Sequence, residues 1–193
     1  MARGRPREEG IDDAVREAVR ALLTETGYQR CTIDAVAARA GVGKAAVYRR
    51  WRSKAELVFA AVIHPVDLEP PEDTGSLRGD VAAVLGVIQS SLDSAELRRA
   101  LPSLLADVRA DQALEARFGE VFLGRERGYL ALMLDRAVAR GELSRRPDPA
   151  LVHAILLGPV LTWLHLFTEK RPSGGLAASL ASPLHAAVVA LGA

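Results

Sequence analysis

Thr32-Ile33-Asp34-Ala35-Val36-Ala37-Ala38-Arg39-Ala40-Gly41-Val42-Gly43-Lys44-Ala45-Ala46-Val47-Tyr48-Arg49-Arg50-Trp51 is the stretch that decides the reading of this chain. Its first half predicts a helix from about Ile33 to Ala40. Thr32 is an N-cap residue, and Ile33, Val36 and Ala37 recur at helical spacing. Gly41-Val42-Gly43 predicts a tight turn. Gly41 suits it, because such a turn needs a backbone angle that glycine adopts at low cost. A short helix from Lys44 to about Trp51 follows, with Val42 in the seam. Two short helices joined by a glycine turn have the helix-turn-helix layout.

The flanks support this reading. Apolar residues at Ile11, Ala14, Val15, Ala18, Leu22 and Leu23 predict a first helix, which Gly27 ends. Ahead of it, residues 1–9 carry Arg3, Arg5 and Arg7 with Gly4 and Pro6, and read as a mobile basic arm. Arginines on a slim, extended segment suit a narrow minor groove; an unstructured solubilising tail is the other reading. Downstream, Ser53-Lys54-Ala55-Glu56 is a capping box that opens a fourth helix through Leu57, Val58 and Val62.

The 193 residues are 49% hydrophobic and 25% charged, which excludes a disordered chain. Aromatics are only 5%, which favours helices over sheets. One cysteine excludes an internal disulfide framework. Net charge is +1, but residues 1–56 hold 12 Lys+Arg against 8 Asp+Glu, so the N-terminal part is basic and the remainder mildly acidic. That asymmetry points to an anionic partner for the N-terminal part. Lys44, Tyr48, Arg49, Arg50, Arg52 and Lys54 cluster on and after the short second helix of the hairpin. The lysines and arginines neutralise phosphates, and arginine also reads guanine edges. The apolar stretch from Ala154 to Phe167 is too short to span a bilayer, and no apolar run follows the charged start. A soluble, cytoplasmic protein with no membrane partner is expected.

Pro65, Pro70 and Pro71, with several acids, mark a connection. Beyond it, helices are predicted near 77–92, 95–110, 112–140, 149–168 and 176–191. The fold class is therefore all-α, with an N-terminal three-helix helix-turn-helix DNA-binding domain joined to a larger helical ligand-binding and dimerisation domain. The division is a basic arm at 1–9, the DNA-binding domain at 10–56, a connecting fourth helix at 53–63, and the second domain at 64–193. Leu156, Val160 and Leu164 on one apolar helix, and Leu180, Leu184, Val188 and Leu191 on the other, are expected at an isologous dimer interface. Candidate ligand contacts are the stripe Phe118, Phe122 and Tyr129, the pair Trp163 and Phe167, and the polar residues Gln89, His153, Thr162 and His165. Each of these also reads as an ordinary core or surface residue; together they suit a bulky lipophilic ligand.

Several segments resemble one family: Gly27-Tyr28, Thr32 to Val42, Lys44, Val47-Tyr48-Arg49-Arg50-Trp51 and Ser53-Lys54-Ala55-Glu56-Leu57. They closely resemble the DNA-binding domain of TetR-family transcriptional regulators, over about residues 11–60. Asp135 to Leu143 and Leu157-Gly158-Pro159 look like a common C-terminal subtype of that family. The resemblance implies an all-helical homodimer on a pseudo-palindromic double-stranded DNA operator, usually a repressor released by a small molecule, with coupling through the fourth helix. By position it implies that Thr32, Tyr48 and Lys54 contact phosphates, and that Lys44, Ala45, Ala46, Arg49 and Arg50 face the major groove. Tyr48 has a second reading, as filler of the hairpin core, and Trp51 reads as core. Gly43 and Ala46 depart from the family, which often carries Ser or Thr at both positions.

His64, His153, His165 and His185 lack metal-ligand spacing, so no metal or cofactor is expected. Cys31 precedes a helix start, where a thiol pKa can fall, but a small packed side chain is the preferred reading. No nucleophile-and-base arrangement, paired carboxylates or phosphate loop stands out, and an enzyme is not expected. The function read from sequence is a ligand-responsive homodimeric repressor. Its alternatives are an activator or global regulator without an effector, and a helical small-molecule-binding protein that has lost DNA binding. Deleting residues 1–7 is expected to weaken operator binding and reduce its salt dependence; affinities measured at several salt concentrations check this.

Overall fold

Most helices in this chain begin where a short polar side chain can accept from a free amide. Thr32 accepts from Ala35 N at 3.2 Å, Ser76 from Gly79 N at 3.2 Å and Ser94 from Leu97 N at 3.1 Å. Asp111 and Asp148 do the same for the helices that follow them. The computed structural model describes residues 5–62, 72–167 and 169–193. Among these residues every regular element is helical: α1 (Arg5–Arg30), α2 (Ile33–Ala40), α3 (Lys44–Tyr48), α4 (Lys54–Val62), α5 (Leu77–Leu92), α6 (Ala95–Ala110) and α7 (Gln112–Arg117). A π-helical stretch (Phe118–Leu123) follows, then α8 (Gly124–Ala139), α9 (Pro149–His165) and α10 (Leu176–Leu191).

The all-α class read from sequence is found, with most of the helix spans. Gly27 ends the regular part of α1 as expected, with φ 76° and ψ 174°, and a separate turn carries the chain to Arg30. Three local features differ. The helix expected over 112–140 is broken into α7, the π-helical stretch and α8. The predicted third helix closes early at Tyr48, and the amides of Arg50 and Trp51 both bond the Val47 carbonyl at 3.0 Å in a tightened last turn. The chain is already helical at Arg5, so the expected extended arm is reduced at this end; Arg3 and residues 63–71, with Pro65, Pro70, Pro71 and His64, lie outside the described residues. For Arg5 and Arg7 only the backbone is described.

The chain divides into two compact units, each drawing on separated segments. One comprises residues 1–68 and 94–118; the other, 69–93 and 119–193. The first is built from α1–α4 together with α6 and α7. Leu97, Ala100, Leu101, Leu104 and Val108 form a buried stripe on α6, and α6 packs on α1 and α4. The sequence pattern had grouped α6 and α7 with the C-terminal residues. It shows that α6 is amphipathic, but not which neighbour its apolar face meets.

The second unit is a bundle of α5, α8, α9 and α10. Its core holds Leu77, Val81, Leu85, Leu134, Val152, Leu156, Val160, Leu176 and Val188. Burial of a leucine or valine of this kind contributes about 1.5–3 kcal/mol each before entropy is subtracted. Five residues expected at a dimer interface, Leu156, Val160, Leu164, Leu184 and Val188, are buried within this core, and Leu180 and Leu191 are partly covered. These five side chains are covered by the chain's own bundle, because the most apolar face of a helix goes to its nearest neighbours first. Exposed positions on these helices are Leu151 and Ala154 on α9, and Ala178, Ser179, Ser182, Pro183, Ala186 and Ala190 on α10.

One polar cluster ties this bundle together. Arg140 donates to Glu142 Oε1 at 2.6 Å, Asp73 Oδ1 at 3.0 Å and Asp80 Oδ2 at 3.0 Å. Asp80, only 2% exposed, also accepts from Thr74 N at 2.9 Å and Thr74 Oγ1 at 2.7 Å. Glu142 Oε2 accepts from Leu77 N at the start of α5, at 2.8 Å. Burial by itself raises the Asp80 carboxyl, but the Thr74 and Arg140 hydrogen bonds outweigh it and hold the group below the usual aspartate range. Glu142 is held low in the same way, by Arg140 and the Leu77 amide against burial. Because the folded-state pKa values are depressed, this stability is present above the unfolded values and is lost as pH falls through the folded ones. Asp80→Asn is expected to cost about 3 kcal/mol at neutral pH and to flatten the loss of stability below about pH 4; thermal unfolding across pH measures both.

Candidate nucleic-acid interface

The hairpin of α2 and α3 is held by short local bonds. Gly41 adopts φ 66° and ψ 27°, the left-handed conformation, and its amide and that of Val42 close α2 by bonding Ala38 O and Ala37 O at 3.4 and 3.0 Å. Gly43 precedes α3 without any side-chain cap. Two buried residues seat α3, Val47 at 0% exposure and Trp51 at 8%. Lys44, Ala45, Tyr48 and Arg49 stand exposed, at the i, i+1, i+4 and i+5 positions that share one helical face. Tyr48 is 51% exposed, so its ring does not fill the hairpin core. Trp51 does lie in the core, as expected.

The basic side chains fall into two groups. Among the described residues the Arg49 side chain has no hydrogen-bond or ion-pair partner and is exposed. Lys44 reaches Asp34 Oδ2 at 2.6 Å, with both side chains 60% exposed, a surface pair of small energetic worth. Arg50 is different. Its guanidinium is turned onto α1, where it pairs with Asp12, and it donates to Ala46 O at 3.3 Å. Arg50 was expected to face the major groove; its side chain is mostly buried, because a carboxylate on α1 lies within reach. Ala46 is half-buried beside it.

The start of α4 borders this face. Glu56 N donates to Ser53 Oγ at 3.1 Å, as a capping box requires. The Glu56 carboxylate reaches one residue further back than expected, accepting from Arg52 N at 2.9 Å. Its other oxygen accepts from Arg117 Nε at 3.0 Å and Nη2 at 2.9 Å. Phe118 follows and packs edge-on against Phe59 of α4, with ring centroids 4.1 Å apart. The sequence reading missed Arg117. Nothing local signals a partner 61 residues away; the only hint was an acid in a capping box on an apolar helix. Cys31 is fully buried, and burial pushes its thiol up to about 11, which keeps it protonated and removes the thiolate that redox sensing needs.

The residues singled out as ligand contacts are dispersed. Phe118 belongs with α4, as described, and the Phe122 side chain lies outside the described residues. In the second unit Gln89 Oε1 accepts from Ala177 N at 2.8 Å and so caps α10, whose preceding Gly175 has no side chain to do it. Tyr129 Oη accepts from Arg125 Nε at 2.7 Å. His153 is buried, with Nε2 2.9 Å from Glu126 Oε2. Trp163 and Phe167 do meet, at 5.5 Å between centroids, and Thr162 lies half-buried beside them. Among the described residues no group of three His, Cys, Asp or Glu is placed to hold a metal ion, and no helix is long and apolar enough to cross a membrane.

A compact helical unit that presents a short basic helix between two capped helix starts defines a helix-turn-helix DNA-binding protein. Comparison with known proteins gives the family. The family model for bacterial regulatory proteins of the tetR family matches residues 15–61, and that for the tetracyclin repressor-like C-terminal domain matches residues 71–184. The chain belongs to the TetR family of DNA-binding transcriptional regulators, whose members are not enzymes. It is 39% identical over 124 residues to an HTH-type transcriptional regulator of Mycobacterium tuberculosis, covering 64% of this chain and 60% of that protein. This chain thus spans about 60% of the length of the mycobacterial regulators it matches. It is 32% identical to the DNA-binding transcriptional repressor TetR of Mycobacteroides abscessus, over 69% of this chain and 71% of that one. Among solved structures, the TetR family transcription regulator SCO0332 superposes with a TM-score of 0.69 at 26% identity, covering 90% of this chain and 96% of its own.

Replacing Glu56 by Ala is expected to destabilise the N-terminal unit by about 2 kcal/mol, since it removes the helix cap and leaves the Arg117 guanidinium unpaired. Urea unfolding measures the loss, and Glu56→Gln, which keeps one acceptor, is expected to recover part of it.

Proposed function

We propose that this protein is a homodimeric repressor, released from its operator by a small lipophilic molecule. The observation that carries the DNA-reading part is the exposed face of α3, with Lys44, Ala45, Tyr48 and Arg49 together over a buried Val47 and Trp51. In this reading Arg49 and Lys44 meet base edges in the major groove, and Ala45 and Ala46 pack on thymine methyl groups. Tyr48, Thr32 and Lys54 hold phosphates, helped by the amides at the starts of α2 and α4. Arg50 serves the fold instead, by bracing α3 on α1. Arg3, Arg5 and Arg7 add a basic approach to the neighbouring groove.

Dimerisation follows from the geometry of DNA: a two-fold places two reading helices about 34–36 Å apart, one turn of duplex. The small residues Ala178, Ser182, Ala186 and Ala190, outward on α10, permit close approach of a second copy. The effector belongs with the apolar second unit. Among its buried donors is Trp163 Nε1, which has no hydrogen-bond partner among the described residues. The repressor assignment is supported by the named repressor among the relatives. Release is a population shift, and it requires that the effector bind the non-binding arrangement of the dimer more tightly than the binding one.

Selection from fragmented genomic DNA of the source, at two salt concentrations, tests the reading. A pseudo-palindromic site that survives added salt is the expected result. Recovery of salt-sensitive, sequence-random DNA alone overturns it. On the recovered site, Arg49→Ala is expected to weaken binding by about 10- to 100-fold and to relax the preference at one base position.

A further inference from the structure

Lys54 is the first residue of α4, and its ammonium does not float free. Nζ lies 3.9 Å from the centroid of the Tyr28 ring and 3.4 Å from the Tyr28 carbonyl oxygen. One of its three N–H groups serves that carbonyl, and the others remain for an anion. Tyr28 itself is 4% exposed, and its hydroxyl donates to Asp107 Oδ2 on α6 at 2.7 Å. All three residues lie in the same compact unit. The contacts form one series, from the Asp107 carboxylate through the Tyr28 hydroxyl and ring to the Lys54 ammonium.

The series has an electrostatic consequence. A phenol that donates to a carboxylate has a more electron-rich ring, and a cation is held by the negative face of that ring. The Asp107 bond also fixes the ring plane, which has no other polar anchor among the described residues. Burial, then the Asp107 hydrogen bond and charge, push the Tyr28 phenol above its ordinary range, so it keeps the proton it donates. We infer that Asp107, acting through Tyr28, positions Lys54 for its phosphate contact, so that a residue of α6, outside the helix-turn-helix, sets part of the DNA affinity. The inference rests on the proposed phosphate contact of Lys54.

The sign of one substitution separates this from a bystander role. Asp107 is exposed, and its negative charge opposes DNA; removing it from a bystander position leaves binding unchanged or tightens it. As a positioning residue, its loss weakens binding. The full-length protein is titrated with a labelled mixed-sequence duplex of about 30 base pairs at four salt concentrations, because phosphate contacts need no operator. Asp107→Ala is expected to weaken binding about two- to fivefold, and Tyr28→Phe, which removes only the hydroxyl, to match it. In a Lys54→Ala background Asp107→Ala is expected to cause no further loss. Lys54→Ala alone is expected to reduce the salt slope by about 0.9 for each lysine engaged. Unchanged or tighter binding by folded Asp107→Ala overturns the inference, as does a loss that persists without Lys54. If Lys54→Ala leaves affinity and slope unchanged, the phosphate contact itself falls, and the positioning role with it. Circular dichroism confirms the fold of each variant.

Discussion

A carboxylate inside an apolar unit is tolerated only when its oxygens find donors, and Glu56 is buried at the point where α4 begins. One oxygen takes the Arg52 amide; the other takes two N–H groups of Arg117. This fixes where α4 starts, and with it the direction in which Lys54 and the free amides of the first turn point. It also fixes Trp51, two residues before the Ser53 cap, in the core beneath α3. The exposed face of α3 therefore depends on a residue that it never touches. Removing one partner of such a pair costs more than the pair contributes, because the remaining charge stays desolvated.

The partition of the chain into units follows from the same economy of donors and apolar surface. α6 carries both an apolar stripe and two polar ties, Asp107 to Tyr28 and Glu96 to Thr24 at 3.1 Å. Both ties end on α1, so α6 is covered by the N-terminal helices although it lies past the proline-rich connection. In this structure α6 and α7 pack in one unit with the reading element. Residues 94–118 form part of its frame. The chain passes from that frame to the second unit at Phe118–Gly119, within the π-helical stretch, a form of helix often associated with functional sites.

α9 and α10 show where hydrophobic pattern misleads. Leu156, Val160, Leu184 and Val188 recur at helical spacing, and that spacing identifies one face of each helix. It does not say whether the face meets the same chain or a second copy. Within one bundle, α5 and α8 supply the neighbours, and the strongest apolar stripe is consumed there. On α10 small residues are left outward, and these suit a second helix at close range but carry too little hydrophobicity to stand out in the sequence.

The sequence by itself determined most features whose physics runs over three or four residues. Thr32, Ser53, Ser76, Ser94 and Asp111 set helix starts because their side chains reach an amide two or three residues on. Gly41 set the hairpin turn because its φ of 66° excludes most other residues. The helix-turn-helix, and most of its exposed basic face, were legible for that reason. Only the tertiary structure decided the rest. It turned Arg50 inward to Asp12, seated Arg117 on Glu56, joined Lys54 to Tyr28 and Asp107, and put Leu156, Leu164 and Leu184 of α9 and α10 in the core. Each of these pairs residues far apart in the chain, between helices whose apolar faces could have met other neighbours. Charge and hydrophobicity are properties of a residue, but a partner is a property of the packing.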